Sequence, residues 1–406
     1  MRLVYKFNIK QNDRLLGLCK ISKNLYNQAL YLVKKELKEN NKWLNYSYLN
    51  KVLQTTTNIE GTINYKLLKA QVSQQCLRSL DKNITSYVKS IKDYSKNKNK
   101  YKGCPKFPKY KKETNQLIYT NQCCSIKNDG YLYLDKQTKI RIPQFNKYKD
   151  RLSNFQQVRV IPKLNNIFTI EMIYIDNENN NNELNSNLYS SIDLGINNIA
   201  TMILPDEKPI LYNGKQLKAK NQYFNKKISN LKSKLSNSKK TSKQIQELYL
   251  KRDNQLSDIF HKLSRMIVNR LIENKIGNIV VGYNKGWKDS INIGKRNNQT
   301  FANISYEKLL SFLQYKCEMC GIKLIINEES YTSKCDGLAL EEIGKHETYL
   351  GKRVKRGLFQ SSIGKLINAD VNGSLNILRK VVGDSEITSK IINSGWLFQP
   401  VRVNIL

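Results

Sequence analysis

An α+β chain of several domains is what this sequence predicts, and three observations carry that prediction. Its 406 residues exceed what one hydrophobic core usually serves, so two or three domains are expected. Short β-type runs separated by Asn, Gly and Pro stand beside long stripes of apolar residues at helical spacing. Hydrophobic content of 40% with 25% charged residues describes a chain that mostly folds.

The elements follow in order. Residues 2–9, RLVYKFNI, alternate as a strand. Leu18, Ile21, Leu25, Ala29 and Leu32 fall at three-and-four spacing, one face of a helix. Leu68, Val72, Cys76, Leu80, Ile84 and Val88 form a second stripe, with Cys76 as a small buried hydrophobe. Runs at 117–121, 131–134, 139–142, 157–161 and 167–175 suggest a small barrel or sheet. Residues 176–187 are polar and low in complexity, a linker. SSIDLGINNIATMIL reads as one apolar strand. Residues 216–274 read as two Lys-rich helices broken near Ser236–Thr241. Strand Asn278–Tyr283, helix Ser305–Cys320, strand Ile322–Asn327, an irregular stretch and helix Ala369–Val382 follow. No internal repeat is evident.

Charge narrows the function. Lys and Arg number 69 against 33 Asp and Glu, a formal charge of +36. That surplus repels itself and costs stability unless a polyanion neutralises it, so nucleic acid is the leading partner. An enzyme of small metabolites rarely carries it. MRLVYKFNIK has no apolar signal region, and no window approaches 18 consecutive apolar residues, so neither secretion nor a membrane span is expected. The eight scattered cysteines read as reduced thiols or metal ligands, not a disulfide framework. Between Lys92 and Lys112 nine lysines interleave with Tyr94, Tyr101, Phe107 and Tyr110, while Gly103, Pro105 and Pro108 forbid a regular helix. Lysines and aromatics on an extended chain suit phosphate contact and base stacking, with Lys102, Lys106, Lys109 and Tyr110 as candidates. A solvated charged face is the plainer alternative.

Two acids stand out for chemistry. Hydrolysis of a phosphodiester by two metal ions needs single carboxylates brought together from separate elements. Asp193 ends an apolar run and precedes Gly195, where a tight turn is permitted; a simple turn former has the same pattern. Asp370 opens a helix, where the dipole favours an acid in any case. Asn368, Asn372 and Asn376 recur every four residues beside it.

The set DLGINNIAT (193–201), HKLSR (261–265), ESYTSK (329–334), GKRVKRGLF (351–359) and NADVNGSLNIL (368–378) resembles, in order, the TnpB (OrfB) family of insertion-sequence proteins, relatives of type V CRISPR effectors. NLYNQAL (24–30) and GCPKFPKYKK (103–112) extend the resemblance more weakly. It implies a RuvC-type nuclease domain of RNase H-like fold over 189–406. It also implies a wedge-type β-barrel from 1–12 and 94–175, interrupted by a helical recognition domain over 13–93, with a polar linker at 176–188. A guide RNA from the transposon end, a double-stranded DNA target, a short target-adjacent motif and Mg²⁺, with Mn²⁺ as a substitute, are implied too, as is a place in the bacterial cytoplasm near the nucleoid. Asp193 then matches the first RuvC carboxylate and Asp370 the third.

Two departures from that pattern matter. The family's second carboxylate should end the strand NIVVGYNKGWK, where this chain has Gly282. Either the nuclease is dead and the protein is an RNA-guided DNA-binding repressor, or Glu328 or Glu329 on the next strand fills the gap. Successive strand residues face opposite ways, so only one of the two could serve. The family's four-Cys ribbon is also degenerate over about 330–367. Four zinc ligands could come only from Cys317, Cys320, Cys335 and His346, so structural zinc is not expected. His261 reads as structural. Lys251, Arg252, Lys262 and Arg265 would contact nucleic-acid backbone, and Arg353, Lys355 and Arg356 would clamp phosphate. With only two His, a Tyr-type single-strand transposase is disfavoured.

Overall fold

A computed structural model describes residues 1–10, 12–163, 167–176, 182–236, 239–284 and 304–405. Parts of the expected linker (177–181) and helix break (237–238), and the end of NIVVGYNKGWK after Asn284, lie outside these residues. The chain separates into two compact units, Met1–Glu178 and Asn179–Leu406, in a mixed α+β architecture.

In the first unit, β1 (Arg2–Lys10) leads into α1 (Asp13–Asn40), α2 (Tyr46–Val52) and α3 (Ala70–Lys96). Strands β2 (Leu117–Thr120), β3 (Ser125–Ile126), β4 (Tyr131–Tyr133) and β5 (Lys139–Arg141) follow, then α4 (Phe145–Ser153), β6 (Phe155–Pro162) and β7 (Ile167–Ile175). The strands form a four-stranded antiparallel sheet, β1-β7-β6-β2, and a separate three-stranded sheet, β3-β4-β5. The first and last strands of the unit pair along their whole length, from Arg2 opposite Ile175 to Lys10 opposite Ile167.

Asn12 starts α1 by accepting a hydrogen bond from Leu15 N, satisfying a donor the helix leaves open. The buried stripe of α1 is Leu15, Cys19, Leu25, Tyr26, Ala29, Leu30 and Val33. It is rotated from the stripe expected at Leu18, Ile21 and Leu32, because the polar Ser22 is buried by a hydrogen bond to Gln116 O. Periodicity alone scores such a residue as solvent-facing.

The second unit holds β8 (Asn185–Asp193), β9 (Asn198–Leu204), β10 (Glu207–Asn213), α5 (Lys215–Ser233), α6 (Lys243–Glu273), β11 (Ile276–Gly282), α7 (Tyr306–Cys320) and β12 (Lys323–Asn327). Strands β13 (Lys352–Lys355), β14 (Leu358–Gln360) and β15 (Leu366–Asn368), helices α8 (Ala369–Val382) and α9 (Glu386–Asn393), and β16 (Val401–Val403) complete it. The main sheet runs β12-β11-β8-β9-β10-β16. Strands β8, β9 and β10 are antiparallel, whereas β11 and β12 run parallel to β8, and β16 parallel to β10.

Both faces of this sheet are covered at its centre, so β9 and β11 are buried along their whole length. Ile279 and Val281 pack with Phe260 and Leu263 of α6 and Leu309 and Leu313 of α7. Val280 and Ile203 point the other way, onto Val371, Leu375 and Leu378 of α8. Continuous burial also explains why 190–204 read as one strand when it is two. The reversal lies at 194–197, where a Cβ on Gly195 would come within 2.7 Å of Asn198 O. A second sheet in this unit, β13-β14-β15, occupies part of the stretch that read as irregular. Among the described residues no helix is long and apolar enough to cross a membrane.

Candidate active site

Asp193 is the last residue of β8 and pairs with Thr201 of β9. Helix α8 crosses directly over this strand end: Ser191 Oγ donates to Ser374 O at 2.7 Å. The approach is so close that a Cβ on Gly373 would stand 3.0 Å from Asp193 Oδ2. Gly373 is therefore part of the site, and its place one turn into the NAD helix was the available sequence signal. Asp370, the second residue of α8, is set by Asn368, whose side chain caps the helix by accepting from Asp370 N and Val371 N at 2.9 and 3.3 Å. Asn198 Nδ2 donates to Asp370 Oδ2 at 2.8 Å, another contact the sequence reading missed.

The two candidate glutamates part company just beyond β12. Glu328 is exposed and pairs with Lys380 Nζ at 2.9 Å. Glu329 turns inward, and its Oε2 lies 3.0 Å from where a Cβ on Gly282 would begin. The same Cβ would overlap Ile377 Cδ1, so residue 282 is glycine because Glu329 and Ile377 fill its side-chain space.

Electrostatics reflect this crowding. Burial pushes the Asp193 carboxyl well above the usual carboxylate range, and the charges of Asp370 and Glu329 push it further, against the pull of Arg353. Glu329 is raised to about 7, chiefly by burial, then by Glu328, with Lys380 opposing. Arg353 Nη2 lies 3.7 Å from Asp370 Oδ1. The buried phenol of Tyr306 donates to Gly195 O at 2.7 Å and is raised by burial and by the charges of Asp193 and Glu329. The raised carboxyls of Asp193 and Glu329, with Asp370 beside them, are what a divalent cation would relieve, and an all-oxygen donor set suits Mg²⁺ or Mn²⁺. Among the described residues no group of three His, Cys, Asp or Glu side chains is gathered into a ready cage. Like-charged carboxylates without a counter-cation repel, which opposes such convergence.

The cysteine candidates are dispersed between different surroundings. Cys317 and Cys320 pack in the apolar core of α6 and α7, where burial pushes the Cys317 thiol up to about 12. Cys335 donates to Gly344 O, and His346 Nε2 contacts Glu342 O at 2.8 Å. His261 stacks on Phe312 with ring centroids 3.8 Å apart.

The basic candidates divide. Lys251, Lys262, Arg265, Arg353, Lys355 and Arg356 are exposed, although Lys262 also pairs with Asp258 at 2.9 Å. Arg252 is half-buried, and its guanidinium bridges α5 and α6, donating to Asn221 Oδ1 at 3.0 Å and Asn225 Oδ1 at 3.3 Å. In the first unit, Lys102, Lys106 and Lys109 are exposed. The aromatics between them serve partly as anchors. Phe107 packs edge-on against Trp43 and Tyr87, and Tyr101 donates to Asp93 at 2.6 Å. Tyr110 remains exposed, with Lys34 Nζ 4.2 Å from its ring centroid.

Comparison with known proteins agrees with the resemblance seen in the motifs. Residues 172–288 match the family OrfB_IS605, described as a probable transposase, and residues 306–377 match the Cas12f1-like TNB domain. The TnpB-like protein ORF457 of Acidianus two-tailed virus is 27% identical over 209 residues, 48% of this chain and 42% of that protein, so the match spans less than half of either. The cryo-EM structure of a Cas12f1–sgRNA–target DNA complex superposes with a TM-score of 0.54 at 15% identity, covering 90% of this chain and 82% of that one. The architecture is thus a mixed α+β fold of the Cas12f1 kind. The two family matches follow one another along the chain, so it is similar to TnpB-like proteins over 172–288 and to the Cas12f1-like TNB domain over 306–377.

Proposed function

We propose that this chain is a transposon-associated, RNA-guided DNA endonuclease, with Asp193, Glu329 and Asp370 as its catalytic carboxylates. One observation carries the reading: Glu329 Oε2 stands within 3.0 Å of the point from which a residue 282 side chain would project. The carboxylate missing from β11 is supplied from the next turn. The main sheet supports an RNase H-like, RuvC-type domain, since three antiparallel strands are followed by two parallel ones on the side of β8. The charge of +36 suits both nucleic acids, and reading of the target falls to guide pairing rather than to side chains.

Asp193, Glu329 and Asp370 would hold Mg²⁺, with Mn²⁺ as a substitute. When bound, the cation supplies charge stabilisation at the attacked phosphodiester and a nucleophilic water at neutral pH. The remaining work belongs to the chain. Asn198 fixes one oxygen of Asp370, and Asn368 fixes the helix start that carries it. Arg353, Lys355 and Arg356 on the β13–β14 hairpin take phosphate near the cut. Lys102, Lys106, Lys109 and Tyr110 contact the nucleic-acid backbone and stack on a base. The stretch over about 330–367 is tied together by hydrogen bonds to the buried Asp336 carboxylate and from Arg379.

A binder without cleavage rests on Gly282 alone, and the position of Glu329 answers that objection. The test begins by sequencing RNA that copurifies with the protein. A DNA carrying the matching sequence beside a randomised flank is then offered with Mg²⁺. Cutting confined to one flanking motif is expected. Binding without cutting in Mg²⁺ or Mn²⁺ would give the repressor reading the field.

A further inference from the structure

A carboxylate at a strand end is held by the sheet ladder, whereas Glu329 lies in a turn past the end of β12, where no ladder holds it. Its backbone is nevertheless pinned on both sides. Glu329 N donates to Asn284 Oδ1 at 3.0 Å, and Glu329 O accepts from Thr332 Oγ1 at 2.8 Å and Thr332 N at 3.3 Å. The turn so formed places Tyr331 at φ +67°, a left-handed conformation that a residue with a bulky side chain holds only when its surroundings impose it. The imposing partner is α8. Asn376, fully buried, donates from Nδ2 to Thr332 O at 2.9 Å and Cys335 O at 2.7 Å, while its Oδ1 accepts from Arg379 Nη1 at 2.8 Å. Asn372, one turn earlier, donates to Cys335 O at 2.9 Å. The helix that carries Asp370 therefore grips the turn that carries Glu329.

We propose that Asn284, Thr332 and Asn376 are positioning residues that hold the Glu329 carboxylate in the space left by Gly282. They form a hydrogen-bonded frame that keeps Glu329 in register with Asp193 and Asp370. The inference rests on the proposed role of Glu329.

The test uses the full chain with its copurified RNA and compares Thr332→Val, Thr332→Ser, Asn284→Ala and Glu329→Gln. Thr332→Val keeps the shape and deletes the hydroxyl. It should slow cutting about tenfold, the loss usual when a group supporting a metal ligand is removed, and raise the Mg²⁺ needed for half-maximal rate, with target binding unchanged. Thr332→Ser should restore both. Asn284→Ala should behave like Thr332→Val, at a half-buried position where loss of folding is not at issue. In metal-free protein, amide hydrogen exchange over 328–335 should quicken in both defective variants while α8 stays protected. If Thr332→Val leaves cutting, Mg²⁺ dependence and exchange at wild-type values, or if Thr332→Ser is equally defective, the positioning role is wrong. A Glu329→Gln variant that still cuts would instead bring down the role of Glu329, and this frame with it. Were the wild-type chain unable to cut at all, unchanged exchange over 328–335 would by itself overturn the frame.

Discussion

Asp193 and Glu329 stand close enough for the charge of one to act on the other, but they are placed by opposite means. Asp193 ends a central strand paired on both sides, so its position follows from the sheet. Glu329 rides a turn beyond the edge strand β12 that is hydrogen-bonded by Thr332 within it and by Asn284 and Asn376 from outside it. Under the proposed role of Glu329, a fold moves a charge to a neighbouring element when the new site brings its own supports and the old site gives up its side chain. Gly282 and Ile377 show the second half of that exchange.

The largest expected effect lies on the ladder-held side. Asp193→Ala or Asp370→Ala should abolish cutting while RNA and target binding persist, measured by cleavage and filter binding on the same preparation. A matching loss of binding would make these acids structural. Next comes Gly282→Glu, which restores the family's carboxylate to its usual strand. In a Glu329→Gln background it should fail to rescue cutting, since the new Cβ overlaps Ile377 Cδ1. Recovery of wild-type rate would show that the two placements are interchangeable.

A smaller effect should appear in stability. Burial raises the Glu329 carboxyl to about 7 from its ordinary 4.5, so its protonated form stabilises the fold fully below about pH 4.5, and that contribution is lost as pH rises through about 7. Metal-free Glu329→Gln should therefore melt higher than wild type at pH 8 and nearly equal to it at pH 4.5. A difference independent of pH would contradict the buried-charge account. Smallest and broadest, guide-RNA affinity should fall steeply with salt through counterion release, yet keep a preference over length-matched random RNA. Equal binding of the two RNAs at physiological salt would remove the guide.

The same contrast explains what the sequence made legible. Asp193 and Asp370 stand where hydrophobic runs stop, so pattern and motif locate them. The choice between Glu328 and Glu329 was closed to pattern because alternation ends with β12 at Asn327, and both residues follow it. The bridge from Arg252 to its amide partners was not legible, because they lie 27 and 31 residues away on another helix. The basic segment near residue 100 was legible by composition, but which aromatics anchor and which remain exposed depends on Trp43, Tyr87 and Asp93. The turn inside 190–204 was hidden by burial on both faces of the sheet.

If Glu329 supplies the carboxylate absent from β11, a paired substitution separates it from its neighbour Glu328. Cleavage of guide-matched DNA in Mg²⁺ is measured for Glu328→Gln and Glu329→Gln, with target binding followed in parallel. Glu329→Gln should bind and not cut, while Glu328→Gln, which loses only an exposed pair with Lys380, should cut at close to the wild-type rate. Wild-type cutting by Glu329→Gln, or loss of cutting by Glu328→Gln alone, would contradict it.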